Sequence, residues 1–291
     1  MKKFIAFIIL SVAAVSCYED YILDYVYTGI YFPYQIDVRT FVVGEGMQIK
    51  VGAALGGVRK NTIDREVTFT LDPALVTPAI LAQMKGSSYA HIKDPATPVA
   101  TLQVMPSNYY TLSNNSKMII KAGQHMGDVV VKPDSANFLN DSVNTIYATY
   151  ALPFYIQNAD ADTILENKRY NIVGLKFENM LYGYYWHGGE ARIERPGLPD
   201  SIFTYKTEIP TAEAKIWILK TVGPSTLYAN GYLNQVTSKN EMKLVLKGNT
   251  VFVSAGAGAT YTIEPDGEST FNRSKLLQDR RIYLKYKYLN P

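Results

Sequence analysis

Short runs of alternating apolar and polar residues recur along almost the whole chain, and turn residues end each run. From Arg65 to Leu71, Val67, Phe69 and Leu71 share one face, while Glu66, Thr68 and Thr70 share the other. Period two is the spacing of a strand that buries one face. The same pattern predicts strands over 47–55, 118–121, 127–132, 145–156 and 168–177. Pro153 lacks a ladder donor, so it is expected at an edge or a bulge. One stretch differs: Asp72 is placed to cap a helix over 74–85, and Pro78 restricts it to a short one. Strands at this spacing over about 150 residues point to an antiparallel sandwich.

The second half begins after Asn179 with an aromatic strand, Tyr182-Gly183-Tyr184-Tyr185-Trp186-His187, running into Gly188-Gly189. Short strands then follow at closer spacing as far as Leu289. Asn230-Gly231, Gly248-Asn249 and Pro265-Asp266-Gly267 read as hairpin turns. Eight or more short strands in about 110 residues suit a small up-and-down barrel. The expected organisation is therefore all-β. Residues 1–17 form a signal segment, 18–27 a linker, 28–178 a β-sandwich and 179–291 a small antiparallel β-barrel.

The start of the chain fixes its expected destination. Lys2 and Lys3 precede an apolar run from residue 4 to 15 broken only by Ser11. Twelve helical residues reach ~18 Å, short of the ~30 Å bilayer core, so the run is a signal-peptide core and not a membrane span. It ends Ala14-Val15-Ser16-Cys17, which resembles the lipobox of bacterial lipoproteins, although Ala14 stands where that motif prefers Leu. The alternative is a secreted protein cleaved elsewhere. Cys17 is the only cysteine of the chain and sits at the lipidation position. The resemblance implies that Cys17 is lipidated and anchors the chain to the outer membrane. Glu19 and Asp20 resemble the surface-export signal of Bacteroidetes lipoproteins. Four Asp-Ser or Asp-Thr tripeptides, at Asp134, Asp141, Asp162 and Asp200, match that phylum's O-glycosylation pattern.

Composition narrows the partners. Lys+Arg is 29 against 26 for Asp+Glu, a net charge of +3, and removing Lys2 and Lys3 leaves +1. A nucleic-acid binder needs a basic stripe, and none is present. With one Cys and three scattered His, structural zinc sites and internal disulfides are excluded, and no metal or cofactor is expected. Tyr outnumbers Phe 23 to 11, an amphipathic bias suited to binding faces.

Several stretches in order resemble one family. They are Tyr109 to Asn114, Met118 to Gly123, Gly127 to Val131, Tyr150 to Phe154, Asp160-Ala161-Asp162, and Tyr170 to Asn179 leading into Tyr182-Gly183-Tyr184-Tyr185. Together they resemble Bacteroidetes surface lipoproteins whose N-terminal domain, of unknown function, also stands ahead of some family 18 endo-glycosidases. The C-terminal part resembles the adhesin-like domain that often follows it. The resemblance implies an immunoglobulin-like first domain, a lipocalin-like second domain and a role in surface glycan capture. The hydrolase of some relatives has no room here, since a family 18 barrel needs ~250 residues.

No catalytic site is expected. Asp160, Asp162 and Glu166 could serve acid–base or calcium chemistry, but a loop without the calcium-site glycine spacing is the plainer reading. The aromatic strand is the feature that points to binding. Tyr182, Tyr184 and Trp186 share one of its faces, and Tyr185 and His187 the other. A flat indole or phenol stacks on a sugar ring while its polar tip serves the hydroxyls. Packing in the barrel core is the alternative for Trp186, and Trp217 is expected in the core. Tyr228 and Tyr232 flank the Asn230-Gly231 turn. The expected ligand-binding set is Tyr182, Tyr184, Tyr185, Trp186, Tyr228 and Tyr232, on a non-enzymatic, lipid-anchored glycan binder at the cell surface. A protein-binding adhesin or structural subunit is the second reading, and a glycosidase the third.

Overall fold

The computed structural model of the chain describes residues 27–86, 99–206, 216–232, 235–236 and 241–289. Cys17 and the whole signal segment lie outside them, as does His91. The described fold is all-β, with curled sheets and only short helices, as the alternation predicts. None of the described helices is long and apolar enough to cross a membrane.

Backbone contacts divide the chain into two units: residues 27–41 with 47–176, and residues 42–46 with 177–289. In the first unit β1 (Gly29–Tyr31), β2 (Ile36–Val43), β3 (Ile49–Gly56) and β4 (Arg65–Leu71) come before the helices. Then follow β5 (Gln103–Val104), β6 (Tyr110–Leu112), β7 (Lys117–Ile120) and β8 (Met126–Pro133). Last are β9 (Tyr150–Ala159), β10 (Thr163–Ile164) and β11 (Tyr170–Asn179). One sheet runs β10-β1-β3-β8-β6 and the other β2-β11-β9-β4-β7, with β5 beside β9. Alternation places Val51, Val129 and Val131 of the first sheet and Val67, Phe69, Phe154 and Ile156 of the second in the core. Phe154 packs against Phe69 and Phe32, with ring centroids 5.4 and 6.5 Å apart.

Four local features differ from expectation. The pairing is not antiparallel throughout, because β1–β10 and β5–β9 are parallel. Pro78 does not cut a helix begun at residue 74. It opens one, Pro78–Gly86, at the position where a helix needs no N–H. The expected cap is real but serves a 3₁₀ turn, Pro73–Leu75, with the Ala74 N–H donating to Asp72 Oδ1 at 3.0 Å. Pro153 lies in β9, an inner strand. Its missing donor falls opposite Asp72, just past the end of β4, and the Asp72 carbonyl accepts from the Leu75 N–H instead.

The acidic cluster is built into the backbone. Asp162 accepts from the Thr28 N–H and hydroxyl, both at 2.7 Å, and so fastens the β1–β10 pair. These bonds hold its carboxyl below the usual range. Asp160 accepts from the Glu66 N–H at 2.9 Å, and Glu166 pairs with Arg169 at 2.7 Å. Among the described residues no group of His, Cys, Asp and Glu is arranged to hold a metal.

The second unit contains β12 (Gly183–Trp186), β13 (Gly188–Ile193), β14 (Ser201–Lys206), β15 (Ile216–Gly223), β16 (Thr226–Ala229), β17 (Gly231–Tyr232) and β18 (Gln235–Val236). These are followed by β19 (Met242–Lys247), β20 (Thr250–Ala255), β21 (Thr262–Pro265), β22 (Thr270–Phe271), β23 (Ile282–Tyr283) and β24 (Tyr286–Leu289). A seven-stranded sheet runs β12-β15-β16-β19-β20-β22-β23 and curls as a half-barrel. One face of it carries Trp217, Leu219, Leu227, Leu244, Val251 and Val253 into one core.

The expected closure, a strand near Tyr184 against one near Tyr286, is not made. Among the described residues β12 ends the large sheet, whereas β24 pairs with β21 in a separate two-stranded sheet. Two of the expected hairpins also differ. Gly248-Asn249 does join β19 to β20, with Gly248 at φ +62°. Asn230-Gly231 does not pair its flanking strands. Asn230 turns sideways, and its Oδ1 accepts from the Ile218 N–H of β15 at 2.8 Å. Pro265-Asp266-Gly267 ends β21, which pairs with β24 and not with β22.

Candidate functional site

β12 is aimed by the turn before it. The Asn179 Oδ1 accepts from the Leu181 N–H at 2.9 Å, and the Asn179 carbonyl accepts from the Tyr182 N–H at 2.8 Å. The Asn179 amide also donates to the Pro224 carbonyl at 2.8 Å, tying the turn to the β15–β16 connection. Gly183 then takes φ +144°, a conformation that L residues avoid. From there the strand pairs with β15, Tyr184 opposite Ile218 and Trp186 opposite Ile216.

Side-chain alternation along β12 is the one expected. Tyr182, Tyr184 and Trp186 are 45%, 71% and 57% exposed, so none is a core residue. Tyr185 faces the other way, packs on the buried core and donates its hydroxyl to the Leu181 carbonyl at 3.1 Å. His187 stacks on Trp217, with centroids 4.5 Å apart.

A cavity of about 1450 Å³ runs along this strand. Tyr182, Gly183, Tyr184, Tyr185, Trp186 and His187 form one wall, continued by Gly188, Gly189 and Tyr205. Trp217, Leu219 and Leu244 from the core face of the sheet, with Leu277, Gln278, Tyr286 and residues 280–284, complete the lining. Both end strands of the half-barrel, β12 and β23, therefore border the same space. The missing closure and the cavity are one feature.

Four of the six expected binding residues line this cavity: Tyr182, Tyr184, Tyr185 and Trp186. Tyr228 does not. It alternates with buried Leu227 and Ala229 and is half-buried, on the face away from the core that Tyr184 and Trp186 also share, but on an inner strand and not at the sheet's end. Tyr232 belongs to β17, and its side chain lies outside the described part. Trp217 is buried, as expected, yet it is also among the residues that line the cavity. Tyr205, Gln278, Arg280, Arg281, Tyr283 and Tyr286 join the lining without having been singled out in the sequence. The alternating Arg281-Ile282-Tyr283-Leu284-Lys285-Tyr286 run was the available signal.

Polar groups at the cavity are held in place. Arg280 is 7% exposed, and it donates to the Met180 carbonyl, to the Ser274 carbonyl at 3.1 Å and to Glu45. Burial pushes the Tyr185 and Tyr205 hydroxyls up from their ordinary values, against opposing pulls from the nearby Arg280 charge and a Tyr286 hydrogen bond respectively. Both phenols therefore stay protonated at neutral pH. No Asp or Glu is among the described residues that line the cavity. The arrangement offers flat apolar rings, phenolic donors and guanidinium groups around a space large enough for an oligomeric ligand.

Comparison with known proteins bears on the fold. Residues 24–163 match a family model described as a "-like, N-terminal domain". A Bacteroides ovatus protein of unknown function, solved in a structural-genomics effort, is similar over 90% of this chain and 89% of its own. The two are 19% identical with a TM-score of 0.62, a shared fold. A second B. ovatus protein of unknown function is 13% identical with a TM-score of 0.41, over 84% of this chain and 78% of that one. A B. ovatus multidomain protein including DUF1735 is 10% identical with a TM-score of 0.42, over 84% and 77%. No curated protein matches the chain.

Proposed function

We propose that the protein is a lipid-anchored outer-surface protein that binds glycan, without altering it, in the cavity beside β12. One observation carries the reading. Exposed aromatic rings stand on the outer face of a paired end strand, and that strand borders a large cavity with phenol and guanidinium donors. Stacking rings with hydrogen-bonding tips is the chemistry that recognises a sugar's apolar face and its hydroxyls together. A glycosidase would need two convergent carboxylates ~5–9 Å apart, and the described lining supplies none. The anchor is Cys17, on the lipobox resemblance.

A second reading has an observation of its own. Among the described residues β12 is the end strand of its sheet, and exposed Tyr184 and Trp186 on it share a face with Ile216 of the neighbouring strand, which suits an adhesin that pairs with a protein partner. A glycan array probed with the full chain separates the two. Sugar binding that weakens in Tyr184→Ala and Trp186→Ala supports the first reading. Absence of any sugar binding removes it and leaves the second.

A further inference from the structure

The cavity is charged on one side only. Arg280 and Arg281 line it, and no carboxylate of the described residues does. The two arginines are not equivalent. Arg280 is buried, with its charge met by Glu45 and two further donors bonded to the Ser274 and Met180 carbonyls. Arg281 is exposed, and no described carboxylate pairs with it. Its Nη1 donates to the carbonyls of Gln278 and Arg280 at 2.7 and 2.9 Å. Its own N–H donates to Asn272 Oδ1 at 2.9 Å. These bonds fix the backbone and one corner of the guanidinium. A guanidinium carries five donors, so the Nε–Nη2 edge remains for a partner. That edge is the one that meets a planar or tetrahedral oxyanion with two parallel bonds.

We propose that the glycan of this site is acidic, and that Arg281 receives its carboxylate or sulfate group while neighbouring sugar rings lie on Tyr184 and Trp186. The inference rests on the glycan reading above and adds the charge class of the ligand. Neutral oligosaccharides satisfy the rings but leave the guanidinium edge hydrated. An anionic substituent adds a charge-assisted pair, which is worth roughly tenfold in affinity. Because Arg281 is exposed, that gain is screened by salt.

The test uses the full chain on an array holding neutral, uronate-bearing and sulfated oligosaccharides, followed by calorimetry on the strongest binder. Acidic glycans are expected to dominate, and the uronate and sulfate arms tell which oxyanion is used. Arg281→Gln is expected to weaken the acidic binder roughly tenfold and to flatten its salt dependence. Arg281→Lys, which keeps the charge without the fork, should fall between. Tyr184→Ala should weaken the same binder with its salt dependence retained. Thermal melts check that each variant folds. Neutral hits, or an acidic hit indifferent to Arg281→Gln, overturn the proposal and leave the glycan reading standing. Failure of every sugar to bind overturns both.

Discussion

Replacing Tyr184 with Ala separates binding from folding. The ring is 71% exposed, leaving about 29% of its surface covered. At ~200 Å² for a tyrosine, that is ~60 Å² of burial, or ~1.5 kcal/mol at ~25 cal/mol per Å². An extended-chain reference overstates burial, so the expected loss of stability is about 1 kcal/mol. Trp217 gives the contrast. It is 6% exposed in the core face that borders the same cavity, and Trp217→Ala should cost about 3–5 kcal/mol. Urea unfolding of both variants measures the difference. Calorimetry with the best array hit then measures binding. Loss of a stacking ring costs roughly 1–2 kcal/mol, a 5- to 30-fold weaker affinity for Tyr184→Ala. A Tyr184→Ala protein as destabilised as Trp217→Ala would show that the ring is structural. One that folds and binds like the wild type would remove the ring from the site.

Four further outcomes are expected. Cys17→Ala should move the protein from the membrane fraction to the soluble one, and a variant still sedimenting with membranes would refute the anchor. Glu45→Ala leaves the buried Arg280 without its counter-charge. It should cost roughly 1–3 kcal/mol in urea unfolding, discounted because the Glu45 side chain is 38% exposed. Gly183→Ala forces an L residue to φ +144° with open space around it, so the cost is backbone strain of about 1 kcal/mol or more, read as a lower Tm. Asp162 has a folded-state pKa below its ordinary 3.8, so its contribution is complete above that value and is lost as pH falls through the lower one. Hydrogen exchange at the Thr28 amide should accelerate over that acid window, and in Asp162→Ala, which removes the acceptor, the same amide should exchange fast at neutral pH.

The parts of the fold that were legible in the sequence are those set by local physics. Val67, Phe69 and their neighbours alternate because a strand alternates, and β4 appears with the predicted bounds. The aromatic alternation of β12 was readable for the same reason, and so was the Gly248-Asn249 hairpin. What depended on distant partners was not. Asn230-Gly231 has hairpin chemistry, yet a better acceptor role toward Ile218 decides its conformation. Pro153 reads as an edge residue until Asp72 is seen to end β4 opposite it. Tyr205, Arg280 and Tyr286 reach the cavity from strands and loops far along the chain, so no spacing could have grouped them with Tyr182–Trp186.

The assignment of residues 42–46 to the second unit makes the order of synthesis matter. Val42 packs on the second core, and Glu45 meets the Arg280 charge, yet both leave the ribosome long before Phe177. The segment must wait, tethered between strands of the first unit, for partners that do not yet exist. A fragment beginning at Phe177 would carry Arg280 without Glu45 and a core without Val42. Domain swaps between relatives cut at that point would therefore inherit a mismatch. The five-residue insert has to travel with the C-terminal half if the graft is to fold.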